Sequence, residues 1–323
     1  MKRIRLENTV FEGLNNTYLL DGDGPTTLVD TGVATPDTRG QLRDSLAEER
    51  LDFADIDQVL LTHFHADHAG LAGEIQAAGD ATVRVHAADA EMVEQDADAT
   101  EAMEAERDRL FDAWGMPTDA REELLGFIEA GKAGGGDPAS VEPIADGDEV
   151  RAGDRTLEVV HLPGHTAGLC GFVDGDALFS GDALLPHYTP NVGGADTRVD
   201  SPLAKYLDTL TTIESRNFDV ARPGHREYIE DPAGRARTII DHHRERTERV
   251  VGVLDEHGPA DPWTVSAHLF GDLENIHILH GPGEAYAHLE HLQADGIVEN
   301  TADGYTLVDG SADLDALFPA PPA

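Results

Sequence analysis

Within six residues the chain sets three imidazoles and a carboxylate, in the run His63-Phe64-His65-Ala66-Asp67-His68. An apolar stretch at 58–62 precedes this run and a helical pattern at 69–78 follows it. The run therefore lies where a strand ends and a helix begins. In extended backbone, residues i and i+2 point to the same side, so His63 and His65 can reach one cation together. Asp67 and His68, at the turn into the helix, can face a second cation from the next position. Neutral imidazoles with a carboxylate suit a zinc-type ion. A lone histidine is more often a surface or satisfied core residue, but that reading does not account for this cluster.

Further ligand candidates follow, each behind a strand. Leu162-Pro163-Gly164-His165 closes the apolar run at 156–160, Phe179-Ser180-Gly181-Asp182 closes 177–180, and Arg222-Pro223-Gly224-His225 follows 218–221. Residues delivered at strand ends share one rim of a sheet, where α/β proteins build their sites.

The elements that must position these groups can be read from the same pattern. Short apolar runs at 17–20, 26–29, 58–62, 82–86, 148–160, 169–173 and 177–180 read as strands, with Gly22, Gly24 and Pro25 marking a hairpin turn. Strands interleaved with helices argue for an α/β layered core. Between about 91 and 136 the pattern turns helical, through Met103, Leu110, Phe111 and Trp114, then Leu124, Leu125 and Ile128. Asp119 with Glu122 resembles a capping box there. This stretch reads as a helical insertion lying over one end of the core. Past Pro232, helices are expected at 235–257, 263–270 and 282–295. A hairpin over 297–308 follows, turning at Asp303-Gly304. The division expected is a catalytic domain over 1–232, a second domain over 235–308 and a loose tail over 309–323.

The set His63, His65, Asp67, His68, His165, Asp182 and His225, preceded by Thr27-Leu28-Val29-Asp30-Thr31-Gly32, resembles that of the metallo-β-lactamase superfamily over about residues 10–230. The resemblance implies an αββα sandwich with two metal ions, zinc foremost, with iron or manganese possible. It implies that His63, His65 and His165 bind the first ion, that Asp67, His68 and His225 bind the second, and that Asp182 bridges them. Asp30 would orient a ligand, as metal-bound imidazoles commonly require, or cap the turn at Gly32, and the two roles are compatible. The order of three helices and a hairpin, with Trp263-Thr264-Val265 leading to Leu269-Phe270 and His288-Leu289-Glu290 running on to Gly296, is similar to the winged-helix module of one branch. That branch holds the lactamase-β-like 2 and glyoxalase II-like proteins.

Such a site implies a hydrolase. A metal lowers the pKa of bound water from 15.7 to about 7, and two ions roughly 3.5–4 Å apart can share the hydroxide and polarise the substrate oxygen. Asp67 would both bind metal and orient the hydroxide or carry a proton. A small acyl ester or thioester is the expected substrate; an endoribonuclease or other phosphodiesterase activity is the alternative. Flavo-diiron proteins typically carry Glu at the place of His65, quorum-quenching lactonases place a Tyr shortly after the bridging Asp, and the basic cluster of glyoxalase II is missing. In the stretch after Asp182, His187 and Tyr188 either contact substrate or pack as a rim loop, and rim packing is favoured.

Charge bounds the partners. The 323 residues carry 63 acids against 23 bases, a formal net charge of −40, and only Lys2, Lys132 and Lys205 are lysines. This acidity fits a salt-rich, haloarchaeal-type cytoplasm, where counterions screen self-repulsion. Residues 235–308 hold 5 Arg and no Lys against 13 acids, which argues against nucleic acid, because phosphate binding depends on cations. That region is expected to pack on the rest of the chain or on a second copy, as a possible homodimer. Its eight histidines read as surface residues. No apolar run is long enough to span a membrane, and neither a signal segment nor a disulfide is visible. Cys170 is the single cysteine and reads as a buried strand residue in a cytoplasmic protein with a small-molecule substrate.

Overall fold

The computed structural model describes residues 1–7, 13–308 and 310–320, apart from the side chains of residues 132 and 133. Period-two alternation sorts the strands into layers. In β2 (Asn15–Leu20), Tyr18 and Leu20 face one way and Leu19 the other; β3 (Thr27–Val29) separates Leu28 from Val29 in the same manner. Tyr18, Leu20 and Val29 pack against Leu157, Val159, Phe172 and Phe179 of a second sheet. Leu19 and Leu28 pack outward against Leu42, Leu46 and Ile75 of helices α1 (Pro36–Glu48) and α3 (Ala72–Gly79).

The first sheet runs β1 (Lys2–Leu6), β2, β3, β4 (Gln58–Leu60), β5 (Thr82–His86), β6 (Val141–Ile144). It is antiparallel from β1 to β3 and parallel from β3 to β6. The second runs β11 (Val220–Pro223), β10 (Ala177–Gly181), β9 (Cys170–Asp174), β8 (Arg155–His161), β7 (Glu149–Ala152), with only β10–β11 parallel. Its outer face, through Leu162, Val173 and Leu178, is covered by α7 (Pro202–Arg216) and by Ile239 and Ile240 of α8 (Pro232–His257). Helix, sheet, sheet and helix thus stack in the expected αββα order.

The helical stretch between β5 and β6 holds α4 (Ala90–Val93), α5 (Ala97–Ala113) and α6 (Thr118–Gly131). Leu110, Phe111, Trp114 and Leu124 share a core with Ile278 and Trp263, so the insertion packs on the C-terminal helices. Those helices are α8, α9 (Pro262–Phe270) and α10 (His277–Ala294), followed by the antiparallel pair β12 (Val298–Thr301) and β13 (Gly304–Leu307). The helix expected from Pro282 starts five residues earlier. A proline suits the first helical turn, but Ile278, buried in the shared core, draws another turn into α10 and leaves Pro282 inside it. No helix among the described residues is long and apolar enough to cross a membrane.

Two other expectations need correction. His243 and His288 are fully buried between α8 and α10, with Nδ1 of His243 3.3 Å from Nε2 of His288 and Nδ1 of His288 2.7 Å from the Thr247 hydroxyl. They are core residues because the two helices cross there, a contact that spacing within either helix cannot reveal. The tail read as loose is docked through Ala320: Phe318 packs against the second layer, and Arg237 donates to the carbonyls of Pro319 and Ala320. The remaining tail residues, 321–323, and residue 309 lie outside the described residues.

Candidate metal centre

The site is assembled from loops that leave the two sheets on one rim. β4 runs into Thr62 and His63, and His65–His68 turn into the short helix α2 (Ala66–Ala69). The loop after β8 carries His165, Asp182 follows β10, and His225 follows β11. The seven residues come together. The ligand atoms of His63, His65 and His165 lie within 4.8 Å of one another, as do those of Asp67, His68 and His225, and those of His63, His68 and Asp182. Asp182 sits between the first two groups. Its Oδ1 is 3.5 Å from Nε2 of His68, and its Oδ2 is 3.5 Å from Nε2 of His225 and 3.9 Å from Nε2 of His165.

Each imidazole is held from behind through its outward nitrogen. Nδ1 of His63 meets the Thr62 hydroxyl at 3.1 Å, Nε2 of His65 the Ala195 carbonyl at 3.0 Å, and Nδ1 of His68 the Asp30 carboxylate at 2.9 Å. Nδ1 of His165 meets the Asn191 carbonyl at 2.8 Å, and Nδ1 of His225 the Gly13 carbonyl at 3.0 Å. All five partners are acceptors, the Thr62 hydroxyl included, since it donates to Asp30 at 2.9 Å. The outward nitrogens therefore carry the protons, and five lone pairs point inward toward two carboxylates. Nε2 of His68, Nε2 of His225 and Oδ1 of Asp182 are buried there without a hydrogen-bond partner. Converging lone pairs with no donor are costly unless cations or protons lie between them. The residues present fit divalent metal ions with mixed imidazole and carboxylate ligation.

Gly224 shows how little room is left. A Cβ on it would come 2.4 Å from Cε1 of His68 and 2.6 Å from Oδ1 of Asp182. The Pro-Gly turn before His225 thus lets backbone pass where a side chain would fill the ligand space.

Without metal ions the rings differ in their hold on protons. Burial, reinforced by neighbouring imidazoles, holds His63 well below its usual range and pulls His165 down to about 4. For His68 burial acts downward too, but the carboxylates of Asp182, Asp30 and Asp67 outweigh it and lift the ring well above 6.5. Burial pushes Asp182 up, but His225 and His68 more than reverse it.

Apart from Asp30, which the sequence singled out, the supporting residues escaped the sequence reading. Asn15 Nδ2 donates to Oδ2 of Asp67 at 3.3 Å, and Thr62 links Asp30 to His63. The loop carrying His165 is braced by Asp89, which accepts from the Thr166 hydroxyl and the Gly168 amide, and by Asp196, which accepts from the Ala167 amide. Arg198 bridges Asp89 and Asp196 at 2.7 Å each. None belongs to a local motif, and the deciding contacts, Asn15 to Asp67, Thr62 to Asp30 and Asp89 to Thr166, join residues far apart in the chain. His187 is exposed and lies 3.4 Å from Glu227, while the Tyr188 carbonyl accepts from Arg235. Both residues stand in the loop that follows Asp182.

A family model described as "Metallo-beta-lactamase superfamily" matches residues 10–225. The chain is 27% identical over 302 residues to the probable metallo-hydrolase YqjP of Bacillus subtilis (strain 168), covering 90% of this chain and 91% of that one. It is 24% identical to an atrochrysone carboxyl ACP thioesterase of Aspergillus fumigatus, over 75% of this chain but only 44% of that protein. Among solved structures, a metallo-beta-lactamase family protein from Thermus thermophilus superposes with a TM-score of 0.82 at 31% identity. The match covers 94% of this chain and 97% of that one, so the likeness extends through the C-terminal helices.

Proposed function

We propose that this chain, which belongs to the metallo-beta-lactamase superfamily, is a dinuclear metal hydrolase acting on a small acyl ester or thioester. The observation that carries the reading is the set of five imidazoles whose outward nitrogens are all bonded to acceptors, so that their lone pairs face Asp67 and Asp182. His63, His65 and His165 would hold one ion, Asp67, His68 and His225 the other, and Asp182 both. Zinc suits the donor set best, and iron or manganese is accommodated by the same ligands. Bound there, two such ions lower the pKa of water toward neutrality and polarise a scissile carbonyl.

The chain's own residues supply the rest. Asp30, Thr62, Gly13, Asn191 and the Ala195 carbonyl orient the rings and fix their tautomers. Asp67, held by Asn15, would orient the attacking water and carry its proton. With the ions supplying the nucleophile, neither a serine nor a cysteine is required. Cys170 is buried in β9, and burial raises its thiol far above the range in which a nucleophilic thiolate forms. The thioesterase name of one relative is consistent with acyl transfer to water.

The C-terminal helices and hairpin have the order of a winged helix, and we assign them a packing role. The expected third helix, α10, has no lysine or arginine in its span, which disfavours the ribonuclease alternative. The net charge of −40 supports a salt-rich cytoplasm as its setting. A hydrolysis screen in molar potassium chloride with added zinc tests the reading, using short acyl thioesters, lactones, phosphodiesters and single-stranded RNA. Turnover of thioester or ester, abolished in Asp182→Ala, is expected; turnover of RNA alone overturns it.

A further inference from the structure

The two halves of the metal centre lean on different parts of the chain except at His63, which shares the Asp30 anion with His68 through Thr62. Asp67, His68 and His225 are backed by Asn15, Asp30 and Gly13, all near the N-terminus. His65 and His165 are backed by the carbonyls of Ala195 and Asn191, four residues apart in one loop. That loop rests on the C-terminal helix α10. The Asn191 side chain joins the pieces: Nδ2 donates to the His280 carbonyl at 3.1 Å, and Oδ1 accepts from the Gly194 amide at 3.0 Å. Below it, backbone lies directly on backbone. A Cβ on Gly283 would come 2.4 Å from Cα of Gly194, and one on Gly194 would come 2.7 Å from the Leu279 carbonyl. Gly193 stands at φ +96°, and a Cβ there would come 2.4 Å from the Gly283 carbonyl.

We propose that Asn191 is a positioning residue through which α10 sets the geometry of His65 and His165 in the three-histidine half of the centre, leaving the half built from Asp67, His68 and His225 untouched. The inference rests on the reading of these residues as metal ligands. It gives the C-terminal helices a task at the site: they hold the acceptors that fix the tautomer and tilt of His65 and His165. A ring whose acceptor drifts loses that orientation, and with it affinity for its ion.

Two variants of the full chain approach the loop from opposite sides. Asn191→Ala removes the side-chain tie, and Gly283→Ala inserts a Cβ under Gly194 while suiting the helix better than glycine does. Leu292→Ala, in the separate apolar cluster of the C-terminal unit, controls for general loosening. Each metal-stripped protein is titrated with cobalt(II), followed by visible absorption. Solvent exchange of the histidine ring N–H protons is then followed by NMR of the cobalt-loaded protein. We expect Asn191→Ala and Gly283→Ala to weaken one of two cobalt sites on the order of 10-fold. The ring protons of His65 and His165 should exchange faster, while those of His68 and His225 keep wild-type rates; Leu292→Ala should leave both sites as they are. Wild-type affinities and exchange in both loop variants overturn the inference while the metal-centre reading stands. Parallel weakening of both sites, matched by Leu292→Ala, overturns it equally. A wild-type chain that binds no cobalt sinks both readings.

Discussion

The Asp30 carboxylate accepts the Nδ1 proton of His68 at 2.9 Å from a backbone held at φ +58°, a left-handed conformation that non-glycine residues seldom adopt. The same carboxylate accepts from the amide and hydroxyl of Thr62. One buried anion thereby orients His68 directly and His63 through Thr62. Strain of this kind persists where surrounding structure over-determines it. Asp30→Asn isolates the charge, since asparagine tolerates this backbone region best. The variant should stay folded and lose affinity for at least one metal ion by about 10- to 100-fold. Metal analysis after dialysis against a weak chelator decides it: two tightly held ions in Asp30→Asn would show that the carboxylate does not act through His68.

Gly224→Ala should abolish metal binding without altering any ligand. The added methyl group would sit against His68 and Asp182 at 2.4 and 2.6 Å, well inside van der Waals contact, so one of them must leave its position. Gly224 stands at the end of β11 rather than in the packed layers, so the secondary structure should survive. A circular dichroism spectrum like the wild type's, together with less than one ion per chain, is the expected pair of results. Full metal content would mean that the turn has room to yield.

The legible part of this protein is what lies close together in sequence. The His63–His68 run and the three strand-end turns announce their seven residues, and period-two alternation announces most of the inner strands. β1 escapes such a reading because its run, Lys-Arg-Ile-Arg-Leu, is dominated by charge. α7 is absent from the expected elements although its signal is present: Leu203, Tyr206, Leu207, Leu210 and Ile213 are all buried and recur at helical intervals. Asn191 and Asp89, and Thr62 in its contact with Asp30, carry no sequence signal, because those contacts are to partners that only the fold brings near. His243 and His288 are the same case in the core, 45 residues apart.

Those buried histidines give the metal-free chain a pH signature. Burial pulls His165 down to about 4 and His280 to about 3, and holds His63, His243 and His288 well below 6.5. Between about pH 6.5 and 4 the unfolded chain binds protons that the fold refuses. Stability therefore falls as pH drops through that window, by up to about 1.4 kcal/mol per pH unit for each group. His68 acts oppositely: its proton stabilises the fold below 6.5, and that contribution is lost as pH rises through the ring's raised value. Urea melts in molar potassium chloride, where carboxylate repulsion is screened, should show a midpoint falling steadily from about pH 6.5 to 4.5. A flat profile would mean that these rings titrate normally in the fold.

For nucleic acid the expectation is negative. Phosphate contacts supply essentially all non-specific affinity, and α10 offers no cation to make them. Anisotropy titrations of the full chain with duplex DNA and single-stranded RNA, at low and at molar salt, should show no binding at micromolar protein. Micromolar binding in either regime would move a phosphodiester to first place among substrates.

Salt should stabilise this fold, although its visible ion pairs argue the other way. Pairs such as Lys2–Glu48 at 2.8 Å and Arg216–Glu158 at 2.6 Å are partly exposed. Such pairs contribute at most about 1 kcal/mol each, and screening weakens them. Against them stands the repulsion among 63 acids that only 23 bases can offset, most of it between carboxylates with no partner of opposite sign. At 0.1 M salt the Debye length is about 10 Å, long enough for neighbouring surface carboxylates to repel one another; at 1 M it is about 3 Å and that repulsion is largely gone. The unfolded chain spreads the same charges farther apart and gains less from screening. The repulsive sum should outweigh the loss of the exposed pairs, so the melting temperature of the metal-saturated chain should climb between about 0.1 and 2 M potassium chloride. Chloride is the anion to use, because sulfate stabilises most folds by exclusion from their surfaces. A melting temperature that stays level or falls over that range would remove the argument for a salt-rich cytoplasm, whatever the composition suggests.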